Sequence, residues 1–345
     1  METISSERQL ATVRSAREIR PIPGADAIQA VVIDGWICVS KKDEFKVGDK
    51  GVYFEIDSFL PGSDPRFAFL SKQFITFNNT SGARLRTVRL RGQLSQGLFL
   101  PLTQFPELEG KDVGDDVTRE LNIVKWEPAA VVAEVSKLSL NDPFPIFITK
   151  TDQPRIQNLM RNLQENAGKE FEVTIKLDGS SMTVYRKDDK KGVCSRNCEL
   201  KEEDGGNYWK VTVQSRLLEA LDFLKRNLAF QGELMGESVQ GNNEKLKGLD
   251  FYMFDIFDIE NQKYLSPIER KDILKTLDEN GFKIKHVPSL DNLVLNHTIE
   301  ELLAMADGFS LNPSQKREGL VFKRLDGLFS FKSISNAYLE KHKDR

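Results

Sequence analysis

The chain has little cysteine and little histidine, three of each in 345 residues. Cys38, Cys194 and Cys198 are too few to staple a fold of this size. Their lone C-x3-C spacing lacks the second ligand pair of a zinc site, so they read as reduced thiols. His286, His297 and His342 leave little material for a histidine triad or a multi-histidine metal centre, and the chemistry must use other side chains. No run approaches the ~18 uninterrupted apolar residues of a membrane-spanning helix, and the opening METISSERQL carries charges where a signal peptide needs its apolar stretch. A soluble intracellular protein with no membrane association is expected. Neither sign of charge dominates: 49 Lys and Arg face 52 Asp and Glu, which excludes coating nucleic acid by bulk electrostatics and leaves room for a local basic groove.

What is present suits a folded protein. Hydrophobic residues make up 39% of the chain and charged residues 29%, with 22 Phe and only 13 Pro, so a core can be buried. The length points to two domains. Residues 1–125 read as short strands between turn signals, as in VVIDGWICVS, FKVGDKGVYFEID, ARLRTVRLRG and QGLFLPL, which suggests a small barrel. Residues 126–150, with Pro128, Pro143 and Pro145, read as a linker. From 151 to 345 helices interleave with strands. PRIQNLMRNLQENAG places Ile156, Leu159, Met160 and Leu163 at helical spacing, with Pro154 near the first turn and Gly168 past the end. SPIERKDILKTLDENG offers Ser266 as N-cap, Pro267 at the first helical position, Glu269 for a capping box and Gly281 as a stop; Thr298, Glu301 and Gly308 repeat the device. Strand-like runs lie between: FEVTIKLDG, GELMGE, DFYMFDIFDI, EGLVFKR and LFSFKSIS.

In FEVTIKLDG the apolar Val173, Ile175 and Leu177 alternate with Glu172, Thr174, Lys176 and Asp178, so one face meets a core and Lys176 shares the other with Asp178. A lysine beside carboxylates is ordinarily a structural ion pair, but an amine beside a metal-bound phosphate can lose its proton and attack phosphorus. Lys-x-Asp-Gly arises by chance in roughly one chain in ten of this length. Its company is more informative: SRNCE with Arg196, GELMGE with Glu233, FYMFD with Phe254, EGLVFK with Glu318 and Lys323, and SFKSIS with Lys332. Phosphoryl transfer needs fixed cations around phosphates, acids for a divalent metal and an aromatic platform for a base, and this set has all three.

The ordered series, spanning residues 155 to 335, resembles the motifs of the covalent nucleotidyltransferases, the superfamily of ATP-dependent ligases and capping enzymes. EGLVFKRLDGLFSFKSISNAYL and TKTDQPRIQN resemble an RNA ligase. DNA ligases and capping enzymes carry their small barrel after the catalytic domain, whereas here the barrel-like part comes first, as in the RNA ligase type 5 family. The resemblance covers essentially the whole chain. It implies an α+β protein: an N-terminal OB-fold β-barrel, then a nucleotidyltransferase (ATP-grasp-like ligase) domain of antiparallel sheets with flanking helices. It further implies that Lys176 becomes attached to AMP and that Asp178 and Glu318 hold a metal through its water shell. Glu233 would contact the ribose or that shell, and Phe254 would stack on adenine. Arg196, Lys323 and Lys332 would bind ribose and the α-phosphate, while Arg155 would position the ATP phosphates. ATP, two ions of Mg2+ or Mn2+, and RNA with 3′-hydroxyl and 5′-phosphate ends, as in a nicked duplex, are the implied ligands; no obligate protein partner is inferred. Many DNA ligases have Lys-x-Lys in the last motif, but position 334 is Ile.

Some residues keep two readings. Phe254 lies among Phe251, Tyr252 and Phe257, where core packing competes with base stacking; strand alternation separates it from Phe251 and Phe257. Glu233 and Glu237 share a strand face, and the GEL context favours Glu233. Arg84, Arg86, Arg89 and Arg91 would all point outward if a bulge lay near Thr87, giving a solvated face or one that contacts phosphates or nucleic acid. RGQLSQG reads as a polar loop able to fold over a nucleotide, and the terminal EKHKDR as a frayed end. Two rival functions remain at this level: a capping guanylyltransferase and a nucleic-acid-binding protein on a dead ligase scaffold.

Overall fold

A computed structural model describes residues 8–127, 140–202 and 206–342. The chain divides into two compact units, Met1–Ala129 with Leu339–Arg345, and Ala130–Tyr338. The expected linker falls partly on 128–139, and the last residues of EKHKDR on 343–345, both outside the described residues; Glu340 and Lys341 lie in the closing helix Asn336–Lys341 rather than in a frayed end.

The first unit is built of short antiparallel strands. Lys50–Phe54 lies between Ala11–Ser15 and Leu98–Pro101, and Ile28–Ile33 between Glu18–Pro21 and Trp36–Lys41. Successive residues of Lys50–Phe54 serve two cores: Val52 and Phe54 pack with Leu10, Val13 and Leu60, while Tyr53 packs with Trp36 and Phe99. This follows from strand alternation when both faces are covered.

The four-arginine face does not form as expected. Instead of a bulge at Thr87, the chain leaves one sheet at Arg84 and enters a separate hairpin, Thr87–Leu90 with Gln93–Gln96. Arg84 turns inward: it is 8% exposed, pairs with Asp57 at 3.0 Å, and sets its guanidinium carbon 3.6 Å above the Trp126 ring. Leu90, expected inside, is exposed, as are Arg89 and Arg91, and Arg86 is half-buried. RGQLSQG is the hairpin itself rather than a loop. Its turn residues Arg91 and Gly92 both have positive φ, and Ser95 and Gln96 are buried.

In the second unit six strands carry the site: β1 Glu170–Lys176, β2 Ser180–Lys187, β3 Leu228–Gly236, β4 Leu249–Asp258, β5 Gly319–Arg324 and β6 Ser330–Ile334. β5 lies between β1 and β6 in a four-stranded sheet, and β2, β3 and β4 are consecutive in an eight-stranded one. Among the described residues of this unit, pairing is antiparallel except where Lys285–His286 runs parallel to β4 and where Arg155 forms an isolated parallel bridge with Lys332. Its α-helices among the described residues are α1 Met160–Glu165, α2 Asn207–Gln214, α3 Leu217–Leu224, α4 Pro267–Glu279 and α5 Ile299–Ala306, and α6 Asn336–Lys341 begins in this unit. Met182, Val184, Phe230 and Met253 of the large sheet bury against Val211 of α2, Leu217 and Leu221 of α3 and Leu277 of α4. Val173, Ile175, Leu320, Phe322 and Phe331 of the smaller sheet bury against Ile299 and Leu302 of α5.

Local signals set the helix ends well. The capping boxes at Ser266 with Glu269 and Thr298 with Glu301 both form. PRIQNLMRNLQENAG is less regular than its spacing predicts: a 3₁₀ turn over Ile156–Asn158 precedes α1, and the helical conformation is interrupted at Leu159. The helices α2 and α3 are not foreshadowed by a capping pattern; α2 contains the β-branched Val211, Thr212 and Val213 and is held by packing.

Candidate active site

Lys176 is the last residue of β1 and pairs with Gly319, the first of β5. That register brings its Nζ to 2.7 Å from Oε2 of Glu318, one residue before β5. Two glycines make the close approach possible. A Cβ on Gly319 would sit 2.1 Å from the Ser333 carbonyl oxygen, and one on Gly179 2.4 Å from that of Leu234, so both positions must be bare. The amide of Gly179 donates to Glu233 Oε1 at 3.1 Å, tying the Lys-x-Asp-Gly turn to β3. Asp178 accepts from Asn243 Nδ2 at 2.9 Å and from the Tyr338 hydroxyl at 2.6 Å.

Three acids therefore surround one amine. Burial acts to lower the Lys176 pKa, but Glu318, Glu233 and Asp178 outweigh it and hold the amine above the usual lysine range. Glu233 moves the other way: burial, then the Glu318 and Asp178 charges, push it up to about 7 against the pull of Lys176. The cluster carries more negative charge than its lysine neutralises. Glu237 does not join it; β3 ends at Gly236, and Glu237 is exposed instead of sharing the Glu233 face.

Cross-strand pairing sets Lys176, Thr174 and Glu172 on one face of the small sheet with Lys323 and Lys332. Lys332 Nζ bonds to Asp152 Oδ1 at 2.8 Å, and the other oxygen of Asp152 lies 3.5 Å from Arg196. Arg155 is brought beside Lys332 by a parallel bridge. Burial, with the Arg155 and Lys176 cations adding to it and Asp152 opposing, lowers the Lys332 amine to about 8. Lys323 Nζ bonds to Asp255 Oδ1 at 2.5 Å and to the Phe254 carbonyl at 2.6 Å, and is likewise lowered to about 8, chiefly by burial. Ile334 is 2% exposed and offers no second cation.

The aromatic run resolves through a β-bulge. Gly232 pairs with Met253 but Gln231 with Asp255, leaving Phe254 as the extra residue. Simple alternation therefore fails: Phe251 packs on the helix side of the sheet and Phe257 in a separate cluster with Tyr185 and Ala229. Phe254 remains half-buried, with Lys323 Nζ 5.6 Å from its ring centroid.

The geometry thus gathers Lys176, Asp178, Glu233 and Glu318, places Lys323 and Lys332 on the same sheet face as Lys176, and sets Arg155 and Arg196 near Lys332 through backbone pairing and Asp152. Sequence reading missed Asp152, Asn243, Asp255 and Tyr338 as partners of these groups. Asp152 lies inside TKTDQPRIQN and Asp255 follows Phe254, but nothing local tells which distant side chain each one meets. Among the described residues no group of three or more His, Cys, Asp or Glu is close enough to hold a metal ion directly, and no helix is long and apolar enough to cross a membrane.

The chain is similar to known proteins along nearly its full length. A model of an OB-fold domain matches residues 10–102 and a model of the RNA ligase family residues 169–334. A ligand-free mutant of the Naegleria gruberi RNA ligase is 61% identical, with a TM-score of 0.94 over 98% of this chain and 99% of that one. The same ligase solved with PPi gives 61% identity and a TM-score of 0.94, covering 98% and 100%. A mutant of it solved with ATP and Mn gives 60% and 0.93, covering 97% and 100%. No curated protein sequence matches significantly. With its OB fold ahead of its ligase domain, the chain belongs to the RNA ligase family, in the type 5 arrangement.

Proposed function

We propose that this ligase uses ATP to join an RNA 3′-hydroxyl to a 5′-phosphate through lysyl-AMP and RNA-adenylate intermediates, at breaks such as nicks in a duplex. The observation that carries this reading is Lys176, with Glu318 at 2.7 Å and Asp178 and Glu233 acting on the same amine. The Naegleria ligase solved with ATP and Mn supports the nucleotide and the metal.

In this reading Lys176 Nζ forms a bond to the α-phosphorus as the bond to the bridging oxygen breaks, pyrophosphate leaves and the amine gives up a proton. AMP then passes to the RNA 5′-phosphate, and the 3′-hydroxyl displaces it to leave a phosphodiester. Lys323 and Lys332 supply fixed positive charge to the α-phosphate, Arg196 and Arg155 bind ribose and the outer phosphates, and Phe254 offers its partly open ring to adenine.

A divalent cation fits the donor set, because three carboxylates act on one another around a single ammonium. Asp178, Glu233 and Glu318 would hold Mg2+ or Mn2+ through its water shell, which suits a cation that dehydrates reluctantly and the lack of a direct three-ligand group among the described residues. Bound there, the cation supplies charge neutralisation at the phosphate and favours the neutral amine. Neighbouring protein cations do not achieve this by themselves, since the Lys176 pKa lies above its usual range.

Nicked duplexes that differ only in the sugar at the 3′-hydroxyl end test the substrate. Sealing is expected to favour ribose at that end; equal sealing of an all-DNA nick would overturn the assignment to RNA ends.

A further inference from the structure

Arg270 is 0% exposed, although α4 otherwise turns Ile273, Leu274 and Leu277 toward that core. A buried guanidinium is costly unless every direction it points in is occupied. Here three separate elements meet on it. Glu172 of β1 pairs with its Nη2, His286 accepts from its Nε at 3.1 Å, and Asp255 of β4 lies 3.7 Å from its Nη1, an ion pair without a hydrogen bond. Because His286 Nε2 accepts, its proton sits on Nδ1, which reaches the Val287 carbonyl at 2.5 Å, and the ring is neutral. Lys271 closes the set on the outer side, 2.9 Å from the second oxygen of Glu172.

We propose that Arg270 is a positioning residue for nucleotide transfer: it fixes Asp255, and through Asp255 the Lys323 amine, against the strand that carries Lys176. The proposal rests on the reading of Lys323 as a phosphate-binding cation. Geometry links the parts. Glu172 and Lys176 share the β1 face, Glu172 pairs across to Lys323, and Lys323 in turn grips both Asp255 and the carbonyl of Phe254 at the bulge. One guanidinium thereby joins the sheet of the nucleophile to the strand of the aromatic platform, in register with the amine between them. Its charge also acts on that amine, helping burial to lower the Lys323 pKa.

Three variants test it: Arg270→Lys, Arg270→Gln, and the double Glu172→Gln/Arg270→Gln, which removes both buried charges should the single change unfold the protein. Each is first melted by circular dichroism. Lysyl-AMP formation is then followed with labelled ATP and Mg2+, and the Lys323 ¹³Cε resonance is titrated in the nucleotide-free protein. Folded Arg270→Gln and the double variant are expected to lose roughly tenfold or more in rate at saturating ATP, as misplaced groups do, with Arg270→Lys recovering most of it. The Lys323 midpoint in Arg270→Gln is expected to rise above the wild-type value of about 8. Folded variants with wild-type rate and an unmoved midpoint would overturn the proposal. A wild-type protein that never forms lysyl-AMP would overturn the functional reading instead, and the titration would still report whether Arg270 acts on Lys323.

Discussion

Lys176 Nζ and Glu318 Oε2 lie 2.7 Å apart although 142 residues separate them in sequence. The register of β1 on β5 makes the contact, since Lys176 is paired with the residue that follows Glu318. An acid this close raises the pKa of the free enzyme's amine, and in the proposed function it would also belong to the donor set of a cation. Glu318→Gln separates the two roles. Without metal, acylation of Lys176 by an amine-reactive ester at pH 8 should speed up, because a carboxylate that raises the amine's pKa is gone. Adenylylation with ATP and Mg2+ should fall by about 100-fold or more. Peptide mapping after each reaction measures both.

Phe254 and Phe251 should part company. Phe251 is 2% exposed in the helix-side core, so Phe251→Ala should cost about 3–5 kcal/mol of stability. Phe254→Ala removes a half-buried ring at a bulge and should cost less, while raising the KM for ATP. Denaturant melts and adenylylation kinetics on both variants give the comparison; a Phe254→Ala protein with unchanged ATP use would assign that ring to packing.

Asp152 opposes the effects that lower the Lys332 amine to about 8. Asp152→Asn removes that support, so Lys332 should lose its proton at a lower pH and the alkaline fall in adenylylation should begin earlier than in the wild type. A pH–rate profile of lysyl-AMP formation from pH 6 to 10 measures it.

His286 is half-buried against Arg270, and its partial desolvation together with that cation lowers it from 6.5 to about 4. A histidine depressed in the fold contributes stability that is present above pH 6.5 and lost as the pH falls through 4, because the unfolded chain takes up the proton first. The loss amounts to at most about 3 kcal/mol at 1.36 kcal/mol per unit. His286→Gln keeps an acceptor for Arg270 without titrating, and its urea-melt stability should decline less between pH 6.5 and 4.

How much of this the sequence disclosed depended on how far each residue's partner lay. Ser266, Pro267 and Glu269 form their cap within one turn, so the helix start was legible. Lys176, Asp178, Glu233 and Glu318, which the fold brings together, were legible as a set because their motifs are short and follow a fixed order. Arg84 was not: its inward turn depends on Asp57 and Trp126 and on the chain changing sheets. The bulge at Phe254 is a property of β3 and β4 paired together, invisible in either strand alone. Asp152 and Tyr338 each meet a partner about 160 or more residues away in sequence, a distance over which spacing carries no signal.

The most direct measurement is mass spectrometry of the protein after incubation with ATP and Mg2+. The account predicts one AMP adduct, stable on the peptide that contains Lys176 and absent from Lys176→Ala. An adduct that maps to another residue, or that persists in Lys176→Ala, would contradict it.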